Sequence, residues 1–173
     1  MERRADMLVP KQAFGVCALS NYIYVGGGVM DNSTYLKCVQ RYDLLKDEWE
    51  ALSDCDLPKE MFAMTFLAVR RRYIYSFGES QRFFYTDKAY DFETFYKLDT
   101  ANLSLGWQVT KVNSPYKFIG CQYGILPLRD IQDWRGTDIS QFLVFGGISQ
   151  SYEAEVLKRT FVVEINNKDF SKI

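Results

Sequence analysis

The feature that most constrains this chain is an apolar run that ends in glycine and occurs three times. Ile23-Tyr24-Val25-Gly26-Gly27-Gly28 is the first copy, Ile74-Tyr75-Ser76-Phe77-Gly78-Glu79 the second and Phe142-Leu143-Val144-Phe145-Gly146-Gly147 the third. Gly78 follows Gly27 by 51 residues, and Gly146 follows Gly78 by 68. Self-similarity at a period of roughly 50 residues means that each repeat is one supersecondary element, which buries its faces by stacking on its neighbours.

Other landmarks keep step with the glycines. An apolar segment lies upstream of each run, from Phe14 to Leu19, Phe62 to Val69 and Phe118 to Leu126. The first two are introduced alike, by Pro10-Lys11 and by Pro58-Lys59, and the third by Pro115 and Lys117. Downstream, Val39-Gln40-Arg41-Tyr42-Asp43 leads to Trp49, and Phe95-Tyr96-Lys97-Leu98-Asp99 leads to Trp107. The third repeat gives Phe161 to Asn166, then Asp169-Phe170, with Phe where a Trp is expected. These runs are short, rich in β-branched and aromatic residues, and bounded by Gly, Pro, Asn and Asp, which predicts strands. No segment keeps a helical period over three turns. Each repeat therefore reads as four strands: a, the Phe-led segment; b, the glycine-ended run; c, carrying Tyr-Asp or Leu-Asp; and d, opening at Trp.

The order of glycine pair, Tyr-Asp and Trp at this period resembles the kelch repeat, and the resemblance covers nearly the whole chain. It implies an all-β fold of kelch-type β-propeller blades, each of four antiparallel strands. Residues 1–173 would form just under three blades, at about 11–55, about 59–112 and about 117–173, the last with strand d truncated. Two departures stand out: the second repeat has Gly78-Glu79 in place of a glycine pair, and the third lacks the Trp.

By this resemblance the structural positions are Gly27, Gly28, Tyr42, Asp43, Trp49, Gly78, Asp99, Trp107, Gly146 and Gly147. The glycines would leave room for an aromatic ring from strand c or d to lie over the backbone, and glycine tolerates the positive φ of the turn that follows. Trp49 and Trp107 would supply bulk, each burying about 150–250 Å². A propeller closes with roughly four to eight blades, and a monomer seldom exposes an apolar patch beyond about 300–600 Å². The chain is thus expected to be an incomplete propeller, whose missing blades come from further sequence, another chain or self-association.

Composition narrows the function. There is no histidine among the 173 residues, which removes Ser-His-Asp triads, Cys-His pairs and histidine metal ligands. A kelch-type copper oxidase uses histidine ligands; a kelch-type mutarotase would need carboxylates and Arg at a telling spacing, and none is found. Neither a cofactor nor a metal site is expected. The net charge of −1 argues against nucleic acid. The dense cluster Arg70-Arg71-Arg72 is expected at a solvated hairpin tip. Cys17, Cys38, Cys55 and Cys121 contain no C-x-x-C pair and read as reduced thiols, which suggests a cytoplasmic location. No apolar run is long enough for a signal peptide or a membrane helix. The sequons at Asn32 and Asn102 are then chance matches.

Specificity in a propeller resides in loops, stability in strands. The b–c connection of the second repeat, Ser80 to Glu93, interleaves Arg82 with Phe83, Phe84, Tyr85, Tyr90 and Phe92. That is the composition of an interaction hot spot, or of a loop packed on its own blade. The third a–b connection, Arg129 to Gln141, holds Trp134, a partner anchor or a packing residue, and Asp130, Asp133 and Asp138 at a spacing unlike an EF-hand loop. The first b–c loop, Val29 to Lys37, is short and polar, and the third, Ser149 to Lys158, carries Tyr152. The resulting expectation is a protein–protein interaction scaffold. The alternatives are the substrate-recognition part of a ubiquitin ligase and a permanent structural subunit of a large assembly.

Overall fold

The structure, a computed structural model, describes residues 2–31, 34–80, 94–111, 124–132, 138–146 and 160–166. Gly147 and the partner candidates Arg82, Phe83, Phe84, Tyr85, Tyr90, Trp134 and Tyr152 lie outside them. The chain divides into two compact units, Met1–Phe118 and Ile119–Ile173.

The first unit holds two four-stranded antiparallel sheets. β1 (Gly15–Leu19), β2 (Tyr22–Gly26), β3 (Val39–Asp43) and β4 (Glu48–Ala51) form one, and β5 (Met61–Val69), β6 (Tyr73–Ser80), β7 (Thr94–Asp99) and β8 (Trp107–Lys111) the other, each in chain order. The second unit holds a three-stranded antiparallel sheet of β9 (Gly124–Gln132), β10 (Asp138–Phe145) and β11 (Thr160–Asn166), with β10 central. The described regular structure is therefore all-β apart from two 3-10 turns, Ser53–Cys55 and Leu103–Leu105. The three antiparallel sheets are consistent with the expected incomplete blades, the third showing three strands among the described residues.

The sheets share one register. Ile23 stands between Ala18 and Tyr42, and Tyr42 opposite Trp49. Ile74 stands between Ala68 and Leu98, and Leu98 opposite Trp107. Phe142 stands between Pro127 and Val163. Gly27 and Gly146 each follow the last residue of their sheet's second strand, whereas Gly78, at the matching spacing, stands inside β6, which continues to Ser80.

Turn chemistry explains the aspartates that close each third strand of the first unit. Asp43 Oδ1 accepts hydrogen bonds from Leu45 N (2.9 Å) and Lys46 N (3.2 Å). Asp99 Oδ1 likewise accepts from Ala101 N at 3.0 Å. A carboxylate that caps its own chain two residues on sets the turn locally.

The two sheets of the first unit pack face to face. Residues paired across strands share a face, so Gly15, Cys17 and Leu19 of β1 line up with Gly26, Tyr24 and Val39 on one sheet. Phe66, Ile74, Tyr96, Leu98 and Trp107 line up on the other. Together with Leu57, Met61 and Met64 they make one buried cluster. Burying a side chain such as Phe66 contributes about 1.5–3 kcal/mol.

Two expectations are corrected here. Among the described residues, strand a of the third sheet covers Gly124–Gln132, continuing past the expected end at Leu126, and its partner covers Asp138–Phe145. Arg129 pairs with Gln141 and Asp130 with Ser140 inside the sheet, where the sequence suggests a loop. These polar residues satisfy one another across strands: Arg129 Nε donates to Gln141 Oε1 at 2.7 Å, and Ser140 Oγ to Asp130 Oδ1 at 2.6 Å. Cross-strand polar pairs hold a strand without an apolar run, so apolar runs alone end this strand too early. The arginine triplet is a hairpin tip, but not a freely solvated one. Arg70 and Arg71 take left-handed φ of 52° and 53°, the primed geometry that suits twisted hairpins. Arg72 leaves the tip to grip Asp99, Nε to Oδ1 at 2.9 Å and Nη2 to Oδ2 at 2.7 Å.

Candidate functional site

Antiparallel order places the segment entering β1, the β2–β3 loop and the link from β4 to β5 at one end of the first unit's sheets. The tight turns after β1, β3, β5 and β7 lie at the other end.

The loop-bearing end is built from its glycines. Gly27 and Gly28 have φ of 63° and 91°, which turn the chain out of β2. Gly28 N then donates to Met61 O of the next sheet (2.7 Å), and Gly28 O accepts from Leu36 N (2.9 Å). Val29 exchanges two hydrogen bonds with Gln12, both 2.9 Å. Within the loop, Asp31 accepts from Thr34 N (2.7 Å) and Thr34 Oγ1 (3.0 Å). The far side is tied to the link and to β5 by Leu57 N to Lys37 O (2.8 Å) and Met61 N to Leu36 O (3.2 Å). Backbone bonds hold both described flanks of this loop as a platform, from which Met30, Asp31 and Lys37 present exposed side chains.

The glycines make room, but not for the ring expected. A Cβ at Gly15 would lie 2.6 Å from Phe66 Cδ1, and one at Gly26 2.6 Å from Phe66 Cζ. A Cβ at Gly27 would lie 2.2 Å from Met64 Sδ. The occupant of this space is therefore Phe66, on strand a of the neighbouring sheet, with Met64 beside it, rather than an aromatic from strand c or d. The reason is geometric: a residue on strand c or d of the same sheet points parallel to the glycine's missing side chain, whereas the facing sheet points into the gap. No described atom lies within 4 Å of the place a Cβ would take at Gly146, whose φ of 70° lies in the left-handed region that favours glycine.

The tryptophans lock links to blades. Trp107 packs on Phe66 with centroids 5.5 Å apart, and its Nε1 donates to Cys55 O of the β4–β5 link at 2.6 Å. Trp49 packs on Tyr42 at 5.2 Å, and its Nε1 donates to Ala5 O at 3.0 Å. The Tyr42 hydroxyl donates to Asp47, which also accepts from Ala5 N. Leu8 N donates to Gln40 Oε1 at 3.1 Å. The segment before β1 thus sits against the first sheet as the β4–β5 link sits against the second.

A cation sits over an aromatic ring at one matching position of both sheets. The Arg41 guanidinium lies 4.5 Å from the Tyr22 ring centre and Lys97 Nζ 4.0 Å from that of Tyr73. Burial pushes the Lys97 ammonium below its ordinary value, and the ring offsets part of that cost. The Arg72 guanidinium holds the Asp99 carboxyl below the usual carboxylate value. Cys17 is pushed up to about 12 by burial. Among the described residues no group of three His, Cys, Asp or Glu side chains could hold a metal ion, and no helix is long and apolar enough to cross a membrane.

A family model for the kelch motif matches residues 10–55. These are the first sheet with its entering segment and its outgoing link. This segment is similar to a kelch repeat. A kelch-like protein of Homo sapiens, Kelch-like protein 4, is 44% identical over 46 residues, a match that covers 27% of this chain and 6% of that relative. The kelch glycines Gly27 and Gly28, the Tyr42-Asp43 pair and Trp49 all fall within the matched segment.

Sequence reasoning missed Phe66 and Gly15. The Pro-Lys-x-x-Phe spacing draws attention to Phe62, and nothing local marks Phe66 as the ring that bridges two sheets.

Proposed function

We propose that this chain is a protein-binding module of the kelch type, working in a reducing compartment. Its loops hold a partner at the end where the β2–β3 loop, the β6–β7 connection and the inter-sheet links emerge. One observation carries the reading: the first kelch repeat's b–c loop is hydrogen-bonded on both flanks, to Gln12 and to Leu57 and Met61, so its exposed side chains are presented without further ordering cost. The β6–β7 connection, outside the described residues, carries Arg82, Phe83, Phe84, Tyr85 and Tyr90 in its sequence, residue types that anchor interfaces. Trp134 and Tyr152 are secondary candidates.

The test is a triple substitution, Phe83→Ser, Phe84→Ser and Tyr85→Ser, comparing capture of partner proteins with the urea unfolding midpoint. Lost capture at an unchanged midpoint supports the reading. Unchanged capture removes this loop from the interface.

Further sheets, from the same polypeptide or from another chain, would cover the first sheet's remaining apolar face, on which Val16 is 51% exposed. Light scattering on the isolated 173-residue chain checks this. A soluble, stable monomer contradicts it, and association supports it.

A further inference from the structure

Lys11 and Cys38 meet at the loop-bearing end of the first sheet, and the kelch reading assigns neither a role. Lys11 Nζ lies 3.2 Å from Cys38 Sγ and also 3.2 Å from Cys38 O. The carbonyl bond holds the amine against the sulfur. The two residues come from different segments, one before β1 and one just before β3, and both are half-buried. The other described thiols are sheltered: Cys17 is raised by burial, and Cys55 is fully buried with its Sγ donating to Leu103 O at 3.3 Å. A partly exposed sulfur beside a cationic amine is the setting in which a cysteine reacts with oxidants.

We propose that Lys11 and Cys38 are a modification site at which peroxide joins the two side chains through a covalent N–O–S bridge. One equivalent of hydrogen peroxide oxidises the Cys38 thiol to a sulfenic acid and releases water. A second oxidises the Lys11 side chain, once its ammonium has released a proton to solvent, to a hydroxylamine, again releasing water. The hydroxylamine oxygen then attacks the sulfenic sulfur, forming the S–O bond, breaking the S–OH bond and expelling a third water. Two peroxides are reduced, four electrons leave the protein, and the product carries one more oxygen and two fewer hydrogens than the starting pair. Two electrons from a thiol reductant cleave the S–O bond and return the Cys38 thiol, leaving Lys11 as the hydroxylamine. The bridge would tie the entering segment to the β2–β3 loop, the platform proposed above for partner binding, although its formation does not depend on that reading.

The experiment treats the full chain with hydrogen peroxide and follows it by intact mass and by peptide mass spectrometry. The expected product gains one oxygen, loses two hydrogens, joins the Lys11 and Cys38 peptides, and is separated by dithiothreitol into a Cys38 thiol peptide and a Lys11 peptide that keeps one added oxygen. Lys11→Arg and Cys38→Ser abolish it. A sulfenic acid trapped by dimedone with no joined peptide, a disulfide to another cysteine, or no reaction at Cys38 each overturns the proposal. The decisive readout is on the unsubstituted chain, so a variant that failed to fold would not obscure it. Partner capture is scored separately, before and after oxidation.

Discussion

Substituting Gly15 by Ala sets a methyl group 2.6 Å from Phe66 Cδ1 and 2.9 Å from its Cε1 and Cγ. Gly15 lies outside the left-handed region, so the backbone accepts the change and the whole effect is spatial. The ring cannot retreat easily, because Trp107 stacks on it at 5.5 Å. Overpacking of this kind costs about 1–3 kcal/mol. Phe66→Ala removes the ring instead, and truncating a buried Phe costs about 3–5 kcal/mol. Combined, the two changes oppose each other: the methyl added at position 15 enters space the ring has left. The double variant should therefore be more stable than the sum of the single losses predicts, by about 1–3 kcal/mol. Urea unfolding followed by tryptophan fluorescence gives each free energy, and at a slope of about 1–3 kcal/mol per molar each kcal/mol moves the midpoint by roughly 0.3–1 M. Losses that add within about 0.5 kcal/mol would show that Gly15 and Phe66 do not share this contact, and the account of how the first two sheets pack would fail.

Two further outcomes follow from the same contacts. Because Arg72 depresses the folded-state pKa of Asp99, the pair contributes stability above the unfolded carboxylate value and loses it as pH falls through the folded one. Arg72→Gln should thus flatten the loss of stability between about pH 5 and about pH 2, and an unchanged acid profile would remove Arg72 from the cause. Trp107→Phe keeps most of the ring but strands the Cys55 carbonyl, at a cost of about 1 kcal/mol. Trp49→Phe, whose acceptor Ala5 O is in an exposed stretch, should cost less, and the reverse order in urea unfolding would contradict the locking role assigned to Trp107.

Much of the blade architecture is legible because it is written in local chemistry. Glycines that turn the chain out of strand b and aspartates that cap the c–d turn act within a few residues of where they stand, tryptophans recur at strand d, and the apolar runs between them alternate as strands must. Where polar residues form strands by pairing with each other, as Arg129, Gln141, Asp130 and Ser140 do, the apolar signal disappears and the third repeat's first strand reads as ending too early. The candidate interface is legible only as composition: aromatic residues interleaved with Arg mark what a partner prefers, and say nothing about which of those side chains faces it.

The sequence by itself determined that this is an all-β chain of repeated blades, because period, turn residues and alternation are properties of neighbours along the chain. The tertiary structure decided which residues meet between blades. Phe66 rests on Gly15 and Gly26, Trp107 reaches back to Cys55, and Lys11 touches Cys38 across 27 residues of chain. Contacts of that kind depend on how two faces are superposed, and no spacing along a single strand encodes it.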